Sequence, residues 1–139
     1  MAESTVDLTT FNAHHPVFTK FLAAKMTFAS KDRLDAEFVV HGDLINPRGI
    51  LHGGIVMALA DHLGAAGTFV NLPPGATTTT LESKTNFFAA VPGGDTVRAQ
   101  CTPLHRGRTT MVWETRVFRA DGKLAAIVTQ TQMVLPGRG

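Results

Sequence analysis

The stretch Asn46-Pro47-Arg48-Gly49-Ile50-Leu51-His52-Gly53-Gly54-Ile55-Val56-Met57-Ala58-Leu59-Ala60-Asp61 joins a glycine-rich loop to an apolar run with one carboxylate in its middle. Gly53 and Gly54 beside His52 allow the backbone to approach a ligand closely. The apolar run continues through Leu63, Phe69 and Val70, and its length and composition predict a helix over 54–70 with no solvated face. A helix of that kind has to be enclosed by the rest of the chain. Pro73-Pro74-Gly75 marks its end.

The flanking segments supply the enclosure. Residues 1–12 are polar and read as a loose lead-in, and Val17, Phe18, Phe21 and Leu22 predict a short amphipathic helix over 14–24. Strands are expected at 26–30 and 36–44, the second centred on Phe38, Val39 and Val40. After the long helix everything reads as strand and turn. Residues 77–88 are rich in β-branched side chains, and Pro92-Gly93-Gly94-Asp95 is a turn. Pro103 closes the strand 96–104 at an edge or bulge. Residues 109–119 alternate Met111, Trp113, Thr115 and Val117 with polar neighbours, and Asp121-Gly122 signals a two-residue hairpin into a strand at 123–135. Tight hairpins imply antiparallel pairing, so the expected architecture is α+β: a four-strand antiparallel meander within a sheet wrapped around one long helix. The 139 residues, 14.9 kDa, amount to one domain, taken as 1–139.

Composition narrows the function. The net charge of +2 comes from scattered residues, and no Lys/Arg cluster is interleaved with aromatics, so nucleic acid is not an expected partner. Cys101 is the single cysteine and no metal-ligand spacing exists, which fits a reducing cytoplasm and no metal site. The first residues lack the basic and apolar regions of a signal peptide. The longest apolar stretch is broken by His52, Asp61 and His62, so no membrane span is expected.

The chemistry concentrates on the opening stretch. Gly53 and Gly54 lie where the helix begins, so their N–H groups have no intrahelical acceptor and suit the oxyanion that forms when a carbonyl is attacked. A tight turn that needs glycine would explain the pair equally well. Asp61 adds weight to the chemical reading. An ionised carboxylate in an apolar helix costs several kcal/mol unless it is paired, and its helical neighbours Ala58, Gly64 and Ala65 leave room for a ligand. Asp61 is thus a candidate nucleophile, or a base that activates water. Eight residues separate it from Gly53, about 12 Å along a helix at roughly 1.5 Å per residue. One carbonyl cannot lie within about 3 Å of both. If both act, they come from different subunits, and a homodimer with two shared sites follows.

Asn46, the Gly49-x-x-His52-Gly53-Gly54 run and the following Asp61 resemble the PaaI-type branch of the hotdog-fold acyl-CoA thioesterases. The likeness extends to Asn86-Phe87-Phe88 before a Gly-Asp turn, to Arg106-Gly107-Arg108 between strands, and to Asp121-Gly122, covering 34–135. The resemblance implies a sheet around a central helix, dimers that pair into homotetramers, and hydrolysis of acyl-CoA without metal or cofactor. It implies Asp61 as catalytic carboxylate and the Gly53 N–H as oxyanion donor, with Gly54 against the substrate. His52 and Asn46 would orient thioester or water, and Thr80 stands where relatives place a hydroxyl that assists the water. Arg106, Gly107 and Arg108 are the expected contacts for the CoA phosphates, or else a solvated hairpin tip. Aromatic or medium-chain acyl groups are the expected substrates. The alternatives on the same fold are a domain that binds acyl-CoA without hydrolysis and an enoyl-CoA hydratase or dehydratase.

Overall fold

The computed structural model describes residues 5–13 and 17–138. In chain order it contains α1 (Leu8–Ala13), α2 (Val17–Leu22), β1 (Lys25–Ala29), β2 (Leu34–Val39), α3 (Gly53–Phe69), β3 (Thr77–Phe87), β4 (Thr96–Arg106), β5 (Thr110–Phe118) and β6 (Leu124–Leu135). A 3-10 turn, Gly42–Leu44, takes the last part of the segment expected to continue β2.

The six strands form one antiparallel sheet in the order β1-β2-β4-β5-β6-β3. Its concave face is filled by α3. Val56, Leu59, Ala60 and Leu63 of the helix share one buried cluster with Leu34, Phe38, Val97, Trp113, Val117 and Val128 of the strands. The large Trp113 ring is admitted because Gly67 has no side chain: a Cβ there would lie 2.9 Å from Trp113 Cη2. Trp113 Nε1 donates to Thr68 Oγ1 at 2.9 Å, and Thr68 Oγ1 donates to Gly64 O at 3.0 Å, so the buried polar atoms at this contact are satisfied.

Several expectations change. The sheet is not a four-strand meander in sequence order, because β3 pairs with β6 at the far edge and β2 takes the place beside β4. The reason lies in the link from β3 to β4, which is too long for a tight hairpin and is tied elsewhere: Leu51 N donates to Val91 O and Gly94 N donates to Val40 O. The turn after β5 holds three residues, since Arg119 pairs with Lys123 and Gly122 adopts a positive φ of 84°. The Lys123 backbone N–H donates to Asp121 there and holds that carboxyl below the usual range. Residues 5–13 are more than a lead-in. Thr5 bridges to Ser30, and the Asn12 amide pairs with both the N–H and the C=O of Met26. Residues 14–16, the first part of the expected helix at 14–24, lie outside the described residues.

The central helix also departs from the enclosed cylinder. Gly54, Met57 and Asp61 are exposed in the single chain, a stripe at helical spacing that the sheet does not cover. The strand beside it, β3, is the bare edge of the sheet, and most of its residues are exposed. Within β3 a bulge at Leu81 changes the side-chain alternation: Thr80 pairs with Gln132, and Glu82 already pairs with Thr131. Thr78 and Thr80 therefore face α3 before the bulge, and Ser83, Thr85 and Phe87 face it afterwards.

Candidate active site

Two clusters of polar groups flank the exposed stripe of α3. The first is built from the loop before the helix. Asn46 Oδ1 accepts the N–H of Arg48 at 2.9 Å and that of Ile50 at 3.4 Å, so its carbonyl folds the loop and its Nδ2 has no acceptor among the described residues. His52 caps the helix: its Nδ1 accepts the Gly54 N–H at 3.0 Å. This acceptor role fixes the neutral imidazole with its proton on Nε2. It also separates two donors that the sequence left equivalent. Gly54 N–H serves the cap, and Gly53 N–H has no partner among the described residues. Gly53 packs tightly as well, since a Cβ there would stand 3.0 Å from Phe87 Cζ.

Asn46 and Gly53 open into a groove of about 390 Å³ whose walls include Leu51, Val56, Phe87 and Phe88. One end of this groove offers N–H donors, and the remainder is apolar. That combination suits a carbonyl oxygen followed by an apolar acyl chain.

The second cluster surrounds Asp61, which does not line that groove. Thr80 Oγ1 donates to Asp61 Oδ1 at 2.7 Å, and Gln130 Nε2 donates to the same oxygen at 3.0 Å. Gln132 Nε2 donates to Thr80 Oγ1 at 2.7 Å, and Thr78 Oγ1 lies 3.0 Å from Gln132 Oε1. Asp61 Oδ2 has no hydrogen-bond partner among the described residues. One oxygen of the carboxylate is therefore held by two donors, and the other is free to act. Of the four consecutive threonines Thr77 to Thr80, it is Thr80 that reaches Asp61, as its place before the bulge dictates.

Gln130 and Gln132 went unremarked in the sequence. They occupy inward positions of β6 between Val128 and Val134, at 2% and 0% exposure. Two amides at alternating positions of an otherwise apolar buried face are a readable signal, because buried polar groups need partners.

The arginine hairpin stands apart from both clusters. Arg106, Gly107 and Arg108 line a cavity of about 400 Å³ with Asn71 and Pro73, past the C-terminal end of α3. Arg106 Nη1 pairs with Asp32 Oδ1 at 2.6 Å and donates to Lys31 O at 2.9 Å, which staples the β1–β2 turn. A Cβ at Gly107 would lie 3.0 Å from the Thr110 backbone O, as well as 2.5 Å from Nε2 of the exposed His105 ring. Arg108 is exposed, with no ion pair among the described residues. No group of three or more His, Cys, Asp or Glu that could hold a metal occurs among the described residues, and no helix there is long and apolar enough to cross a membrane.

A family model described as "Thioesterase superfamily" matches residues 48–126, which contain the capped loop, Asp61 and Thr80. The chain belongs to the thioesterase superfamily. It is 32% identical over 102 residues to the proofreading thioesterase EntH of Cronobacter turicensis, a match covering 73% of this chain and 74% of that protein. A mutant of thioesterase PA1618 from Pseudomonas aeruginosa superposes with a TM-score of 0.89 at 30% identity, covering 96% of each chain. The Streptococcus mutans protein smu.793, solved bound to acetyl CoA, superposes at 0.76 with 26% identity, covering 84% of this chain and 91% of that one. The fold is the hotdog fold of this superfamily and the protein is a thioester hydrolase, as the PaaI-type resemblance implied.

Proposed function

We propose that the protein hydrolyses an acyl-CoA carrying an aromatic or medium-chain acyl group, at sites shared between two copies of a single-domain chain. The observation that carries this reading is the separation of the two clusters. Donors gather around Gly53 and Asn46, the base stands at Asp61, and about 12 Å of helix lies between them at roughly 1.5 Å per residue. Each cluster lacks what the other has. The uncovered stripe of Gly54, Met57 and Asp61 and the bare edge of β3 are surfaces a second copy would cover, bringing its Gly53 to this chain's Asp61.

In the assembled site the thioester oxygen accepts the Gly53 N–H of one subunit, with Asn46 Nδ2 and His52 Nε2 as further donors. Asp61 Oδ2 of the other subunit removes a proton from water. The water oxygen bonds to the carbonyl carbon, and negative charge on the carbonyl oxygen is held by the N–H donors. Collapse of this intermediate breaks the C–S bond, and the CoA thiolate leaves and takes up a proton. We take Asp61 as base in this reading; direct attack of Oδ2 on the carbonyl carbon, giving an anhydride that water then opens, is the alternative, and the two hydrogen bonds at Oδ1 weaken both roles alike. The phenyl rings of Phe87 and Phe88 and the volume of the groove favour an aromatic or medium-length acyl group. The acetyl-CoA-bound relative smu.793 supports the thiol carrier, and we assign the contact with its phosphates to Arg108, which is exposed and has no ion pair among the described residues. We further propose that the dimers pair into tetramers and that the enzyme works in the cytoplasm.

Thiol release from a panel including benzoyl-CoA and hexanoyl-CoA tests this reading. Turnover that disappears in a folded, dimeric Asp61→Asn variant is expected. A protein that binds these thioesters without releasing thiol would instead be a carrier, and enoyl-CoA hydration would place it among the hydratases.

A further inference from the structure

We propose that Gln130 and Gln132 are positioning residues that fix the rotation of the Asp61 carboxylate, and that Gly64 is glycine to let the Gln130 amide reach it. This rests on the assignment of Asp61 as the acting carboxylate.

Hydrogen-bond polarity, followed outward from the carboxylate, sets the Thr80 proton and the orientation of both glutamine amides, and ends at the Thr78 hydroxyl, which lies 2.9 Å from Met133 O as well as 3.0 Å from Gln132 Oε1. Ionised Asp61 only accepts, so the single Thr80 proton points to Oδ1. Thr80 Oγ1 must then accept from its other neighbour, and Gln132 must present Nε2 to it, as it does at 2.7 Å. That orientation leaves Gln132 Oε1 toward the Thr78 hydroxyl, at 3.0 Å. Gln130 Nε2 faces two acceptors of the same residue, Asp61 Oδ1 at 3.0 Å and Asp61 O at 3.3 Å, so its amide orientation is fixed as well. Both glutamines are buried, and neither has reason to rotate away. Two donors on Oδ1 and none on Oδ2 among the described residues leave a single carboxylate oxygen to act.

Gly64 completes the arrangement. It lies one turn beyond Asp61 on α3, and a Cβ there would stand 2.6 Å from Gln130 Cδ and 2.8 Å from Nε2. An alanine at this place would push the amide away from Asp61. The helix therefore carries a notch cut to the shape of one carboxamide.

The test is a pair of double-mutant cycles, read as kcat and KM on benzoyl-CoA with the dimer mass and thermal unfolding of every variant. Gln130→Ala and Gly64→Ala should each lower kcat roughly ten- to hundredfold, the loss of a hydrogen bond to a charged group, with KM within about twofold of wild type. The double variant should be no worse than either single one, because both act through the same amide. In the second cycle, Gln132→Met should lower kcat in the wild-type background and cost nothing further in a Thr80→Val background. Gln132→Glu, which keeps the shape and turns the donor into an acceptor, should match Gln132→Met. Additive losses, a change confined to KM, or wild-type kcat in the folded glutamine variants would overturn the proposal. If those variants keep full kcat while Asp61→Asn is dead, only the relay is wrong. If Asp61→Asn keeps full kcat, the assignment of Asp61 fails and the relay with it.

Discussion

The Thr80 hydroxyl reaches across from the edge strand β3 to the middle of α3 and donates to Asp61 Oδ1 at 2.7 Å. It is the one threonine of its run whose hydroxyl bonds to the helix carboxylate, and it owes that position to the bulge at Leu81. Thr80→Val keeps the shape and removes the donor, and should lower kcat roughly tenfold or more with little change in KM. Thr80→Ser keeps the hydroxyl and should recover most of that loss. Equal rates for the valine and serine variants would show that the hydroxyl has no catalytic part.

Gly53 opens α3, the position at which proline is best tolerated in a helix. Gly53→Pro therefore removes the N–H donor without breaking the helix, and because a Cβ here stands 3.0 Å from Phe87 Cζ, Gly53→Ala, which adds the Cβ and keeps the N–H, is the steric control and should lose far less. We expect kcat to fall about a hundred- to a thousandfold, the usual cost of an oxyanion donor. Circular dichroism and dimer mass should be unchanged. Near wild-type turnover in a folded Gly53→Pro protein would move the oxyanion site elsewhere.

Much of this was legible beforehand, for physical reasons that differ from element to element. The long helix and the strands were readable from apolar runs and turn residues, and an irregularity at Pro103 from the missing N–H of proline; the register does shift between Pro103 and His105, but the strand runs on to Arg106 where its end was expected at 104. Strand order was not readable, because β3 finds β6 through contacts distant in sequence and only short hairpins announce their partners. The exposed stripe on α3 was hidden for a related reason. Gly54, Met57 and the small residues near Asp61 look like core in a list of apolar residues, and only the packed sheet shows which side it leaves bare. Asn46, His52, Gly53 and Asp61 stand out by motif as candidates only, and the distinction between the Gly53 and Gly54 donors depends on where the His52 ring turns.

Cys101 gives a negative prediction. Its thiol is buried against β2 and β5, and burial pushes its pKa up to about 12 despite a hydrogen bond with Thr115. The thiolate is the reactive form, so at pH 8 only about one thiol in ten thousand is ionised. Native protein should show no reaction with Ellman's reagent over the course of a thiol-release assay, and denatured protein should react in full. Rapid labelling of the native protein would mean that β2, β4 and β5 open readily.

Gly67 tests the core independently of the chemistry. Its absent Cβ leaves room for the Trp113 ring and for Leu34 Cδ1, which would lie 2.9 Å and 3.0 Å away. Gly67→Ala should destabilise the fold by about 1–3 kcal/mol, the usual range for overpacking, since the ring and the helix cannot both hold their places. A drop in the chemical-denaturation midpoint is the expected reading, and an unchanged midpoint would mean that the core yields more than its packing suggests.

The central claim is that each site draws its oxyanion donor from one chain and its carboxylate from the other, and subunit mixing tests it most directly. Asp61→Asn and Gly53→Pro chains, each inactive alone, are unfolded together in equal amounts, refolded and assayed for thiol release. Random pairing makes half of the dimers mixed, each with one intact site, so about a quarter of wild-type activity should return. Mixed dimers that form and remain as inactive as their parents would contradict a shared site.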